Sequence, residues 1–396
     1  MAGLADDRGL ALEGLISDQR VVFDVPENVA YFNTASLAPQ LRAVRIAGEA
    51  ALEHRGTPWT ISASDWFADV ERLRTLFASI IGSSSEGVAI VPASSYGLAV
   101  AARNLPLRAG DRVLVLADEY PSGIYTWRAA ARRSGAEILT VSREPAQSWT
   151  EAVLDALDER VAIASVPNVH WTDGGLLDLA AVARRTGEVG ARLVIDASQS
   201  VGAMPLDIGA LRPDFLVAVG YKWLLGPFSV GYLYVAEQHR CGEPLEENWI
   251  NRLGSEDFAA LVDYRDEYQP GARRFDVGQR TKFELVPMAI AALEQILDWQ
   301  VARIAATLAN RTSDIARRAA SLGLSCAPDN QRGPHMLGLR LPDHARAHAG
   351  TVLATRNCFV AVRGSSLRIS PHLHTTDEDV RRLIAGLALA LQTSAR

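Results

Sequence analysis

Three places in this 396-residue chain put a reactive residue directly after an apolar run. In FLVAVGYKWLLGP, Lys222 sits between Tyr221 and Trp223. An amine in partly apolar surroundings loses pKa by desolvation and then suits bond formation with a carbonyl carbon. A lysine that snorkels to the surface reads the same in isolation. In RLVIDASQS, Asp196 ends another apolar run and could cap a helix, ligate a metal or partner a buried cation. In VAIVPASSYGLAVAA, the run Val88–Pro92 leads to Ser94 and Ser95 at a helix start. Free amides and the helix dipole there would form an anion site, although either serine could simply cap the helix.

The combination narrows these readings. An anion cradle, an acid, and a lysine 26 residues beyond the acid suit one cofactor, pyridoxal phosphate. Its phosphate wants a helix N-terminus, its pyridine nitrogen a carboxylate, and its aldehyde an amine.

The elements that would position these groups are legible as alternating runs. Apolar runs at Val88–Pro92, Arg112–Leu116, Glu137–Val141, Val161–Val166, Arg192–Ile195, Phe215–Val219 and Val230–Val235 read as strands buried on both faces. Helical stretches, among them Gly97–Arg103, Ile124–Ser134, Leu179–Gly187 and Val201–Leu211, lie between them. Residues 38–82 read as helical, as does Phe283–Ser321, across a domain boundary. Beyond it, Met336–Leu341, Phe359–Arg363 and Ser366–Ile369 read as strands and Asp377–Gln392 as a helix with Thr376 as N-cap. The pattern predicts an α/β protein. A mostly parallel seven-stranded sheet carries helices on both faces, beside a smaller C-terminal α/β domain. The expected divisions are an arm at 1–30 folded on the small domain, a large cofactor-binding domain at 31–285 and a small domain at 286–396. In such sheets ligands collect at the carboxyl ends of the strands.

The stretch LVIDASQSVGAMPLDIGALRPDFLVAVGYKWLLGPFSVGYLYV resembles the class V aminotransferase group of fold-type I pyridoxal-phosphate enzymes. Its relatives include cysteine desulfurases, kynureninases, isopenicillin epimerase-like proteins and carbon–sulfur lyases. The resemblance spans roughly residues 30–390. It implies that Lys222 is the Schiff-base lysine and proton shuttle, that Asp196 pairs with the pyridine nitrogen, and that Gln199 and Asn168 contact the phenolic oxygen. It implies phosphate contacts from Ser94, Ser95 and Tyr221, with Tyr120 of DEYPSGIYTW stacked on the ring. Arg368 of SLRISPHLH would grip the substrate α-carboxylate with a bidentate fork, and Asn33, Ala35 and Ser36 of YFNTASLAP would line the substrate side. The family's site usually lies at a homodimer interface.

Two positions depart from the family's pattern. Gln279 stands where relatives carry a threonine that reaches the neighbouring subunit's phosphate. Arg280 could substitute there or be a surface arginine. Cys358 precedes Arg368 by ten residues inside NCFVAVRG, which reads as a strand. Desulfurases carry a sulfur-accepting cysteine on a flexible loop in that region, whereas a strand cysteine is expected to be buried and inert. His372 and His374 have a spacing usable for metal but no accompanying ligand cluster, so surface groups or groups behind the site are expected and no metal is assigned. His170 and Trp171 could line the substrate side or belong to a packed turn at Gly174-Gly175. Trp59 and Trp127 read equally as pocket walls or core.

Composition excludes other classes. The formal charge of −6 argues against a nucleic-acid binder, and 48% hydrophobic residues argue against disorder. Three dispersed cysteines argue against a disulfide scaffold, and no apolar run is long enough for a membrane span. The first twenty residues carry no secretory signal, so a reducing cytoplasm is the expected compartment. No convincing G-x-G-x-x-G follows an early strand, which ranks a nicotinamide oxidoreductase last. The expected function is Cα-carbanion chemistry on a small amino acid substrate. Cleavage of a Cβ–S or other Cβ–X bond of a cysteine-conjugate type comes first, then transamination, then epimerisation or desulfuration. A phosphate-ligand-binding regulatory domain is the non-enzymatic alternative.

Overall fold

The computed structural model describes residues 14–144 and 147–392. The strands in chain order are β1 (Ala30–Tyr31), β2 (Val88–Val91), β3 (Arg112–Leu116), β4 (Glu137–Val141), β5 (Val161–Pro167), β6 (Arg192–Asp196), β7 (Phe215–Val219), β8 (Gly231–Val235), β9 (Leu337–Arg340), β10 (Cys358–Phe359), β11 (Ala361–Arg363) and β12 (Ser366–Ile369). Strands β2 to β8 form the expected seven-stranded sheet, in the order β2-β8-β7-β6-β5-β3-β4. From β7 to β4 all neighbours are parallel, and β8 runs antiparallel to both β2 and β7.

The apolar runs serve two cores because side chains alternate across a strand. Val88, Ile90, Leu114 and Leu116 enter one apolar cluster, and Ala89, Val91, Val113 and Val115 enter the other. Trp127 belongs to that second core, whereas Trp59 is exposed. The smaller C-terminal α/β part is built on the antiparallel sheet β11-β12-β9 and the helices Val301–Ala320 and Asp377–Gln392. Thr376 Oγ1 accepts the Asp379 amide at 3.1 Å and Asp379 Oδ2 accepts the Thr376 amide at 2.9 Å, so the predicted cap is a full capping box.

Several helical windows break where local chemistry forbids continuation. Residues 38–82 hold two helices, Arg42–Arg55 and Ala68–Ile81, parted by tight turns after Gly56 and at Pro58. Val201–Leu211 is mostly turns, with only Ile208–Leu211 helical and capped by Asp207. Gly202 explains the break: at φ 92° it lies against the Trp223 carbonyl, where a Cβ would stand 2.4 Å from the oxygen. The long C-terminal window splits at Gln300 (φ 64°) into Leu285–Trp299 and Val301–Ala320. The first of these helices packs on Arg42–Arg55 and Ala68–Ile81, and its Val286, Ala289 and Leu293 enter the core of the large sheet. The Phe359–Arg363 run also divides. Cys358 and Phe359 pair in parallel with β1, while Ala361–Arg363 pairs antiparallel with β12. The sequence pattern above omits the helix Trp149–Ala156, although Ser148 and Glu151 spell a capping box.

The arm expected at 1–30 is described from Gly14 onward; residues 1–13 lie outside the described residues. It contains one short turn, Arg20–Val22. Gln19 donates its amide to the Leu373 carbonyl at 3.1 Å, and Arg20 pairs with Asp379 at 2.6 Å. Phe23, fully buried, wedges between Trp299, His372 and His374. His372 and His374 are therefore interior packing groups, not surface ones, and no metal-holding group occurs among the described residues.

Buried charge anchors the segment that carries Gln279. Asp276 accepts two bonds from Arg74 (2.7 and 3.1 Å), one from Arg280 (2.7 Å) and one from the Ile90 amide (2.6 Å), with all three side chains fully buried. Asp276→Ala would remove the carboxylate that two buried guanidinium groups share, leaving Arg74 with Glu71 and Arg280 with the neutral Asn251. It is expected to cost about 3–5 kcal/mol in denaturant unfolding.

The histidine seam gives a pH dependence. Burial pushes His335 and His374 down to about 4 and His372 well below 6.5. Between about pH 4 and 6.5 the unfolded chain binds more protons than the folded one, so stability falls as pH drops through that window, by about 1.4 kcal/mol per pH unit per imidazole. Unfolding at pH 7 and pH 5 should differ less in His372→Leu than in the parent protein.

Candidate active site

The strand order reverses direction between β3 and β5, which opens a crevice at their carboxyl ends. A cavity of about 330 Å³ lies there, and Ser94, Ser95, Tyr120, Asp196, Gln199 and Lys222 all line it. A second recess of about 150 Å³ adjoins it and shares Tyr120, Trp171, Gln199, Tyr221 and Lys222 with it. Ala35, Ser36, Arg363 and Arg368 complete this recess.

Lys222 stands at the junction of the two spaces. Its side chain is buried, and Nζ makes no hydrogen bond or ion pair with another described residue. It lies 5.5 Å from the Tyr120 ring centroid and 5.8 Å from that of Tyr221. Burial pulls its pKa down to about 8; Asp196 opposes this, and Arg368 and Arg363 add to it. The surface-snorkelling alternative is thereby set aside. Only two of the chain's forty basic residues are lysines, Lys222 and Lys282, a scarcity that itself points to Lys222. Asp196, at the end of β6, accepts the Ser198 amide on Oδ1 at 2.9 Å.

The helix Ser94–Asn104 starts at the other end of the cavity. Its N-cap is Ala93, and no side chain caps it. The serines are not caps, and the first amides of the helix stay free to meet an anion.

Tyr120 begins the helix Pro121–Ser134 and meets Trp171 edge-on at 5.6 Å. Gln199 is tightly held. Its Nε2 donates to the Ala35 carbonyl at 3.1 Å, and its Oε1 accepts from Trp223 Nε1 at 2.9 Å. Asn168 lies beside the cavity without lining it; its Nδ2 donates to the Leu177 carbonyl at 3.2 Å. His170 belongs to the packed turn: Nδ1 bonds Thr172 Oγ1 at 2.7 Å, Nε2 the Ala117 carbonyl at 3.0 Å, and the ring stacks on Trp149. Its neighbour Trp171 does line the site.

On the recess side, Arg368 donates to the Trp171 carbonyl (2.7 Å), Ser36 Oγ (2.6 Å) and Asn33 Oδ1 (3.3 Å). These acceptors are neutral. Burial, and then Arg363, push its pKa down to about 9.

Gln279 lies outside both spaces, at φ 57°. Arg280 is neither a surface arginine nor free to substitute for a phosphate ligand, because it is fully buried on Asp276 and Asn251. Cys358 sits in the apolar core of the small sheet, and burial pushes its thiol up to about 12.

Two charged lining residues are absent from the sequence reading. Glu119 immediately precedes Tyr120, and its Oε1 accepts the Tyr120 amide at 2.6 Å. Burial, reinforced by Asp196, raises its carboxyl to about 8, against the pull of that amide and Lys222. Arg363 is the other. Adjacency to DEYPSG could have flagged the first; nothing local marks the second.

The groups present fit pyridoxal phosphate. They supply a buried amine without a partner, a carboxylate on the adjacent strand and an uncapped helix N-terminus, all facing one cavity. The family model described as aminotransferase class-V matches residues 49–383. An uncharacterized aminotransferase of Bacillus subtilis is 28% identical over 359 residues, covering 90% of this chain and 91% of that protein. A kynureninase of Deinococcus radiodurans is 28% identical over 294 residues, covering 72% of this chain and 68% of that protein. Among solved structures, the cystine C–S lyase C-DES in complex with cysteine persulfide superposes with a TM-score of 0.82. It is 19% identical and covers 91% of this chain and 98% of that one. Sheet order, cavity and family match agree, and the chain belongs to the class-V aminotransferase family of pyridoxal-phosphate-dependent enzymes.

Proposed function

We propose that this enzyme is a lyase that cleaves a Cβ–S, or other Cβ–X, bond of an amino acid of the cysteine-conjugate type. The observation that carries this reading is that no thiol among the described residues lines the cavity or its recess. Cys358 is in the core, Cys326 is half-buried with a raised thiol pKa, and Cys241 is exposed outside both spaces. Sulfur released at Cβ would leave as a small molecule instead of passing to the protein. A class-V aminotransferase is the second reading, favoured by the full-length similarity to the Bacillus subtilis aminotransferase.

Lys222 would hold the cofactor's aldehyde carbon, Asp196 its pyridine nitrogen, and Ser94, Ser95 and Tyr221 its phosphate, with Tyr120 on the ring face and Gln199 at the phenolic oxygen. When bound, pyridoxal phosphate supplies an electron sink for a bond broken at Cα. The protein's own part is binding, orientation and proton handling. Arg368 grips the α-carboxylate and so fixes which Cα bond points at Lys222. The Lys222 amine, whose pKa its surroundings bring down to about 8, takes the Cα proton in its neutral form. Glu119, its carboxyl raised to about 8, lies beside it. Tyr120 and Trp171 wall the cavity against water. The active unit in this reading is a homodimer, as the family resemblance implies; Phe228 and Ser229, which line the cavity, are exposed. No described helix is long and apolar enough to cross a membrane.

Incubation of the holoenzyme with a panel of Cβ-substituted amino acids decides between the readings. Pyruvate with ammonia and a free thiol supports the lyase. A keto acid with the pyridoxamine form of the cofactor establishes the aminotransferase instead. Lys222→Ala is expected to lower turnover by roughly 100- to 10,000-fold. In the apoprotein, Lys222 should react with an amine-selective reagent with a midpoint near pH 8, rising with pH as the proton leaves. Mass spectrometry of a chain with two lysines reads this directly.

A further inference from the structure

The recess beside Lys222 holds more positive charge than one carboxylate would satisfy. Arg368 and Arg363 both line it, and each donates an Nη2 to the same oxygen, Ser36 Oγ, at 2.6 and 3.3 Å. The other donations of Arg363 and Arg368 go to the Val362 and Trp171 carbonyls and to Asn33 Oδ1. Neither guanidinium forms an ion pair with a carboxylate of the described residues. Arg368 Nε is buried with no partner at all. Two like charges, one of them fully buried, thus converge on a single neutral hydroxyl, an arrangement that an anionic ligand would relieve.

The register separates the two charges. In the β11–β12 ribbon, Arg368 lies opposite Ala361, and Arg363 lies opposite Ser366. The two arginines are therefore diagonal neighbours on one face, with backbones about 7–8 Å apart along the ribbon. Arg368 is fully buried beside the Trp171 carbonyl, while Arg363 is half-buried, with its guanidinium 5.8 Å from the Trp171 ring centroid. One site is deep and the other lies nearer the mouth.

From this geometry we infer that Arg363 is a second anion-binding group and that the substrate is an amino acid whose side chain carries its own anionic group. Arg368 takes the α-carboxylate, and Arg363 takes the distal carboxylate or equivalent anion. The inference rests on the amino-acid reading above and narrows it to a substrate class.

The test titrates holoenzyme with matched pairs, glutamate against glutamine and S-carboxymethylcysteine against its carboxamide. Dissociation constants are read from the change in cofactor absorbance, independent of turnover. The anionic member of each pair should bind roughly 10- to 100-fold tighter. Arg363→Gln should bring the two members of each pair together while leaving the neutral member's affinity in place, and Arg363→Lys should restore part of the preference. Arg368→Gln should weaken all four compounds. Equal binding within the pairs by the parent enzyme overturns the inference. So does an Arg363→Gln variant that loses neutral and anionic members alike, which would make the two arginines joint holders of one α-carboxylate. An absence of spectral response to every α-amino acid overturns the amino-acid reading itself, and this inference with it.

Discussion

A single buried amine without a partner organises this molecule. Charge at Lys222 is costly because the side chain has left water, and no carboxylate among the described residues sits close enough to make an ion pair with it. Asp196 is near enough to oppose the loss of the proton but does not abolish it. That separation is set by the sheet. β6 and β7 are parallel neighbours, so their carboxyl ends emerge on the same side and their exit loops share one crevice. Had β7 run antiparallel to β6, its loop would have emerged at the opposite edge and the pair would never have met.

The two ends of the site are made by different physics. The anion end is local: β2, a short turn and the uncapped helix Ser94–Asn104 present free amides without help from elsewhere. The recess end is wholly non-local. The Asn33–Ser36 segment reaches it because Asn33 bridges Ser370 in parallel and β1 pairs with β10. The arm, the histidine seam around Phe23 and Trp299, and the hairpin β11–β12 thus hold the arginines against the large sheet.

Much of this was legible in the residues. All seven strands of the large sheet lie where apolar runs appear, because strands covered on both faces need nearly continuous Val, Ile, Leu and Ala. Helix limits were less legible. Gly202 breaks Val201–Leu211 by its approach to the Trp223 carbonyl, a contact no local pattern announces. Gln300 turns the chain with no glycine or proline beside it. Val360 separates two pairings of what reads as one strand, because β1 and β12 compete for adjacent residues. Arg280 reads equally as a stand-in phosphate contact or a surface arginine, since nothing adjacent shows that Arg74, 206 positions earlier, shares its partner Asp276.

By itself, the amino-acid order determined the fold class and the cofactor, and it singled out Lys222, Asp196 and the Ser94–Ser95 pair, which line one cavity. A reactive residue at the tip of an apolar run is placed by its own strand, and strand ends in a parallel sheet share one edge. Only the tertiary structure decided which groups line the recess beside Lys222. Arg363 and Ser36 are 327 positions apart, and Arg368 reaches Trp171 across 197. It also raised the Glu119 carboxyl to about 8 and the Cys358 thiol to about 12. Burial and neighbouring charge set those states, and both arise only when distant segments close over the group.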